Sequence, residues 1–134
     1  MDFVSIRVIT DDVDRLVDFY ERATGLRADR VTEDFAELRT ASGTLAIAST
    51  RTVPLFAPGS SLPGANQSVI LEFLVEDVDS VHRNLGGFVV DFVNEPTTMP
   101  WGNRSLLFRD PDGNLVNFFT PVTPAAIEKF ASPR

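Results

Sequence analysis

Asp12-Val13-Asp14-Arg15-Leu16-Val17-Asp18-Phe19-Tyr20 returns 65 residues later as Asp77-Val78-Asp79-Ser80-Val81-His82-Arg83-Asn84-Leu85. In both copies an aspartate stands immediately before a helical apolar spacing, where its carboxylate can accept from the unpaired amides of a first turn. Val13, Leu16, Val17 and Tyr20 fall at i, i+3, i+4 and i+7, and Val78, Val81, His82 and Leu85 repeat the pattern. Gly25 stops the first helix and Gly86-Gly87 the second. Upstream, Phe3 to Thr10 and Val69 to Val75 alternate and are rich in β-branched residues, so each helix follows a strand.

Further strands follow each helix. In the first half they are expected at Arg27–Val31, Phe35–Thr40 and Thr44–Ser49, and in the second at Phe88–Val93, Arg104–Arg109 and Leu115–Thr120. Asp110-Pro111-Asp112-Gly113 joins the last pair with Pro at i+1 and Gly at i+3, the composition of a type I turn. Thr123 and Pro124 open a terminal helix ending near residue 131. Between the halves, residues 51–67 hold three prolines and two glycines and are expected to be a linker. The fold expected is α+β: two βαβββ modules (about 3–50 and 68–122) forming one domain, their curved mixed sheets enclosing a cleft for a ligand.

Composition narrows the chemistry. The 134 residues include no cysteine and one histidine, His82. That excludes disulfides, thiolate metal sites and a cysteine nucleophile, and any two-histidine metal site within one chain. A net charge of −7, from 12 basic and 19 acidic side chains, makes nucleic acid and anionic membranes poor partners. No apolar run approaches the roughly 18 residues of a membrane span. The N-terminus lacks the pattern of a secretory signal, so a cytoplasmic location is expected.

The duplicated unit resembles the vicinal oxygen chelate superfamily, which includes glyoxalase I, extradiol dioxygenases, fosfomycin-resistance transferases and bleomycin-binding resistance proteins. The segments that carry the resemblance are residues 12–20, residues 72–79 and, most specific, the run from Pro100-Trp101-Gly102-Asn103-Arg104 through Asp110-Pro111-Asp112-Gly113-Asn114 to Val116. The resemblance implies a divalent metal held by the first and last strand of each module. The corresponding positions here are Ser5 or Phe3, Ile47, Ile70 and Asn117, none a good ligand, so neither a metal nor a cofactor is expected. His82 lies on the second helix where Val17 lies on the first, as a half-buried core histidine.

The cleft is then expected to be lined from the first strand by Phe3, Ser5 and Arg7, from its counterpart by Ile70, Glu72 and Leu74, and from the closing strand by Asn117 and Phe119. Trp101, between Pro100 and Gly102, is displayed on a loop. Aromatic walls with few polar groups suit a planar, partly apolar ligand. Arg7 and Glu72 either neutralise each other or serve a ligand, Arg7 orienting its oxygen while Glu72 accepts its donor or, as a weak catalytic candidate, acts as a base. The Asp110–Gly113 run has the residues of a tight turn rather than of a catalytic site. Leu55, Phe56 and Leu62 in the linker call for burial, over the cleft or against a second subunit. The function expected is metal-independent binding of an aromatic or quinone-like drug, of the antibiotic-resistance type. The alternative is a glyoxalase-like lyase, isomerase or dioxygenase, metal-free or with a non-standard metal site. The resemblance implies a homodimer with clefts at or near the subunit interface.

Overall fold

Asp12 Oδ1 accepts from the Arg15 amide at 3.0 Å, and Asp77 Oδ1 accepts from the amides of Asp79 and Ser80. Each carboxylate satisfies a first-turn donor that the helix leaves open. In a computed structural model describing residues 1–131, these caps begin α1 (Val13–Thr24) and α3 (Val78–Leu85). Gly25 ends α1 at φ 73°, a left-handed conformation that glycine adopts without Cβ strain, and its amide reaches the Glu21 carbonyl. The buried α1 side chains are Val13, Leu16, Val17, Phe19, Tyr20 and Ala23, the apolar stripe of the sequence.

The chain forms two units, Met1–Asn66 and a second beginning at Gln67, each built on a four-stranded mixed sheet that does not close. In the first, β1 (Ser5–Thr10), β2 (Asp29–Thr32), β3 (Phe35–Arg39) and β4 (Thr44–Ser49) lie in the order β1-β4-β3-β2. In the second, β5 (Ile70–Leu74), β6 (Thr97–Thr98), β7 (Asn103–Arg109) and β8 (Leu115–Pro121) lie in the order β5-β8-β7-β6. β1 runs parallel to β4 and β5 parallel to β8, while the other pairs are antiparallel. This is the α+β, twice-repeated βαβββ arrangement that the sequence implies.

One face of each sheet carries the core. In unit one, Ala36 and Leu38 on β3 and Leu45 and Ile47 on β4 are buried under α1. In unit two, Phe118 meets Phe73 at 5.4 Å and Phe108 at 4.9 Å between ring centroids, both edge-on. Phe92 extends this cluster from Phe108 to His82 on α3. Full burial of side chains of this size contributes about 1.5–3 kcal/mol each. α4 (Pro124–Ala131) packs on the opposite face of β8, where Phe130 lies 5.1 Å from Phe119.

Several expectations need correction. Phe88–Val93 is not a strand; it holds an isolated bridge, Phe92 to Phe108, and the edge strand is β6 at Thr97–Thr98. The amides of Phe88 and Val89 both turn back to the Leu85 carbonyl, which keeps the chain bent after α3. Asn94 Oδ1 then takes the Leu107 amide at 2.7 Å, so a side chain occupies the place of a ladder partner. The segment after β4 is also not wholly irregular. Thr50–Thr52 forms a 3₁₀ turn capped by the Ser49 hydroxyl, and α2 (Val53–Phe56) follows with Pro54 in its first turn. The first strand begins at Ser5 rather than Phe3, and β2 at Asp29 rather than Arg27.

Candidate functional site

Alternation along β5 places Leu71 and Phe73 toward the core and Ile70, Glu72 and Leu74 on the opposite face. The register sets Leu115, Asn117 and Phe119 of β8 directly across from these three. Glu72 and Asn117 are therefore a cross-strand pair, and Asn117 Nδ2 donates to Glu72 Oε2 at 2.8 Å. That bond fixes the amide, because turning it over would set its oxygen against a carboxylate oxygen. Asn117 is only 9% exposed, and its Oδ1 is buried with no hydrogen-bond partner. An unmet buried acceptor costs about 1–3 kcal/mol. Glu72 itself is exposed, with the exposed apolar side chains of Ile70 and Leu74 on either side.

The matching face of unit one has different chemistry. Ser5, Arg7 and Ile9 lie across from Thr44, Ala46 and Ala48 of β4, with Phe35, Glu37 and Arg39 on the next strand. The Arg7 guanidinium carbon stands 4.8 Å from the centre of the Phe35 ring and 5.4 Å from that of Phe56, at the end of α2. Among the described residues of this unit, Arg7 has these rings and no carboxylate as partner. Glu37, the nearest acid in the register, is engaged by Arg39 at 2.9 Å. The pairing also corrects one predicted position. Arg7 stands opposite Ala46 as Glu72 stands opposite Asn117, so the counterpart of Asn117 is Ala46. Ile47 points to the other face, into the α1 core, and is fully buried there.

A divalent metal needs at least three donors of suitable charge converging on one point. The strand positions offer Ser5 and Ala46 in unit one, with Glu37 across from Ala46 but engaged by Arg39, and Ile70 and Asn117 in unit two, with Glu72 across from Asn117. Among the described residues no group of three or more His, Asp or Glu side chains is placed to hold a metal ion. The donor set does not fit the metal that the fold's enzymes employ.

Trp101 sits on the turn before β7 and is 67% exposed. Gly102 holds that turn. Its φ is 95°, its amide bonds the Met99 carbonyl, and its own carbonyl accepts from Val122 and Thr123. A Cβ there would lie 2.0 Å from Thr123 Oγ1 and 3.0 Å from Ala126 Cβ, so the residue lets the Trp101 turn sit against the start of α4. Arg104, in the same run, faces inward to structure: its Nε and a terminal nitrogen bond both Asp79 oxygens at 2.8 and 3.0 Å. That hydrogen-bonded guanidinium lowers the Asp79 carboxyl below its ordinary value, against the opposing effect of desolvation. Asp110 is likewise architectural, its carboxylate accepting from the amides of Asp112 and Asn114 and from Asn114 Nδ2.

Of the predicted lining residues, Ile70, Glu72, Asn117 and Phe119 share one sheet face in unit two, while Ser5 and Arg7 share one in unit one. Phe3 precedes β1 and is exposed. Phe119 is covered by Phe130, so α4 has taken part of the face that alternation alone offers to a ligand. Sequence inspection missed Phe35 and Phe56 as the partners of Arg7. Phe35 carried a signal, since it shares the Arg7 face by register, whereas Phe56 reaches Arg7 only through a short helix that prolines disguised as linker.

A family model described as the Glyoxalase/Bleomycin resistance protein/Dioxygenase superfamily matches residues 2–118. A protein of Bacillus subtilis, described as the uncharacterized protein YraH, is 30% identical over 125 residues, spanning 89% of this chain and 98% of that one. Among solved structures, a glyoxalase/bleomycin resistance protein/dioxygenase family enzyme from Burkholderia phytofirmans superposes with a TM-score of 0.78 at 16% identity, covering 91% of this chain and 100% of that one. TioX from Micromonospora gives a TM-score of 0.66 at 26% identity, again over 91% and 100% of the two chains.

Proposed function

The chain belongs to the glyoxalase/bleomycin resistance protein/dioxygenase superfamily, and on that premise we propose that it is a metal-independent small-molecule binding protein, sequestering an aromatic or quinone-like compound in the manner of a resistance protein. One observation carries the proposal. Where the superfamily's enzymes place metal ligands, this chain has Ser5, Ala46, Ile70 and Asn117, yet the same strand faces retain organised polar groups, Arg7 beside two rings and Glu72 bonded to Asn117. Sequestration asks only for affinity, and about −8 kcal/mol suffices for a micromolar dissociation constant. The exposed π surface of Trp101 favours a planar ligand, a stacking contact contributing about 0.5–1.5 kcal/mol beyond buried area.

Trp101 is the one tryptophan of the chain, so intrinsic fluorescence reports on its surroundings alone. Titration with a mitomycin-type quinone and a bleomycin-type antibiotic is expected to change that signal saturably. In Trp101→Ala, followed calorimetrically, the dissociation constant should rise about 3- to 10-fold, the equivalent of one lost stacking contact. No saturable binding of any planar compound in such a panel would remove the proposal. The same proposal includes a homodimer, a second copy covering the exposed Leu55 and Leu62, and a solution mass of 14.7 kDa would count against it.

A further inference from the structure

Resting on the binding function above and adding the chemistry of the ligand, we propose that the Glu72–Asn117 pair is a subsite for a protonated amine carried on the ligand's apolar body. With one Asn117 Nδ2 N–H given to Glu72 Oε2, the pair still offers two acceptors, Asn117 Oδ1, buried and without a partner, and the second carboxylate oxygen of Glu72, against the one remaining N–H of the amide. A carboxylate's charge and an excess of acceptors select against carboxylates and phosphates and for a group that brings several N–H bonds. An ammonium brings three, together with a positive charge, which no ion pair supplies to the Glu72 carboxylate among the described residues of its unit. Water or a hydroxyl can satisfy Oδ1 but leaves that carboxylate without a counter-charge.

The surroundings agree with an amine on a carbon skeleton rather than a free cation. Ile70 and Leu74, 44% and 54% exposed, flank Glu72 on the same strand face and provide apolar support for the carbons bearing the nitrogen. The net charge of −7 also draws cations toward the protein. Because Oδ1 has no solvent contact in the ligand-free chain, the ligand must displace something to reach it. A buried acceptor left unmet is a feature that costs stability unless something binds it.

The test compares naphthylmethylammonium with naphthylacetate, which share an aromatic body and differ in the sign of the attached charge, by calorimetric titration at neutral pH. The ammonium is expected to bind about 10-fold or more tightly than the acetate, with the preference lost in Glu72→Gln and in Asn117→Leu. Ligand-free Asn117→Leu is expected to keep or raise the melting temperature, since the substitution removes the unmet acceptor. Equal binding of both probes, or a preference that survives both substitutions, overturns the amine subsite while leaving aromatic binding intact. A marked fall in melting temperature for ligand-free Asn117→Leu also overturns it, because the amide would then serve the fold. Failure of both probes, together with failure of the uncharged quinone, sinks the binding function itself.

Discussion

The two sheets share strand order, register and cap chemistry, yet at the third residue of the first strand one has Arg7 and the other Glu72. Their companions differ accordingly. Arg7 looks across at Ala46, a side chain too small to bond it, and rests beside Phe35 and Phe56. Glu72 looks across at Asn117, which bonds it and leaves one oxygen unmet. The core faces, by contrast, are filled in the same way, with Ile47 and Phe118 in equivalent places. A duplicated fold has thus kept its packing on one face and let its chemistry diverge on the other. Burial constrains volume at every core position, whereas an exposed strand face answers mainly to what it binds.

The largest expected effects test whether the core faces are in fact equivalent. Phe118→Ala should destabilise by about 3–5 kcal/mol and Ile47→Ala by about 2–5 kcal/mol in urea unfolding. If one of the pair cost less than about 1 kcal/mol, the shared packing would be broken as a description. A smaller effect tests the divergent faces. Ala46→Leu should destabilise by about 1–3 kcal/mol, the usual cost of adding methylenes at a site as buried as Ala46. Asn117→Leu at the equivalent position should cost nothing. Equal losses at both would show that Asn117 is as structural as Ala46.

The smallest effect concerns the ion pair that α3 makes and α1 does not share in this form. The hydrogen-bonded Arg104 guanidinium lowers the Asp79 carboxyl below its ordinary value. A carboxyl depressed in the folded chain contributes stability that is fully present above its unfolded value and lost as pH falls through its folded one. Unfolding curves of wild type and Asp79→Asn should therefore stand slightly apart above the ordinary carboxyl range and draw together as pH falls through the lowered folded value, a small effect for a solvent-screened pair. In unit one the corresponding first-turn acid, Asp14, bonds Arg30 at 2.7 Å on a more exposed surface. Asp14→Asn should lower stability at neutral pH by less than Asp79→Asn does, and a larger loss would reverse the ranking of the two units.

Much of this was legible in the sequence, for identifiable reasons. The caps Asp12 and Asp77, the stop at Gly25 and the turn at Asp110–Gly113 depend on residues within a few positions of each other, so the local pattern contained the answer. That Glu72 and Asn117 line one face followed from alternation, whereas their bond to each other was not foreseen, Arg7 having been the expected partner of Glu72. The misassignment of Ile47 came from the same rule, because a one-residue error in register moves a side chain to the other face. What failed was tertiary. Asn94 substitutes for a ladder bond, α2 is one turn among prolines, and α4 covers Phe119 from 11 residues downstream at Phe130. None of these leaves a periodic trace in the chain.

The central claim is that binding proceeds without a metal, and it is met most directly by one titration. Purified protein, treated with a chelator and dialysed, is titrated with the mitomycin-type quinone while Trp101 fluorescence is followed, and then again after addition of zinc, manganese or iron(II). The dissociation constant is predicted to be the same in every arm. Loss of binding on chelation, restored by one of these ions, would contradict the account and return Asn117 and Glu72 to the role of metal ligands.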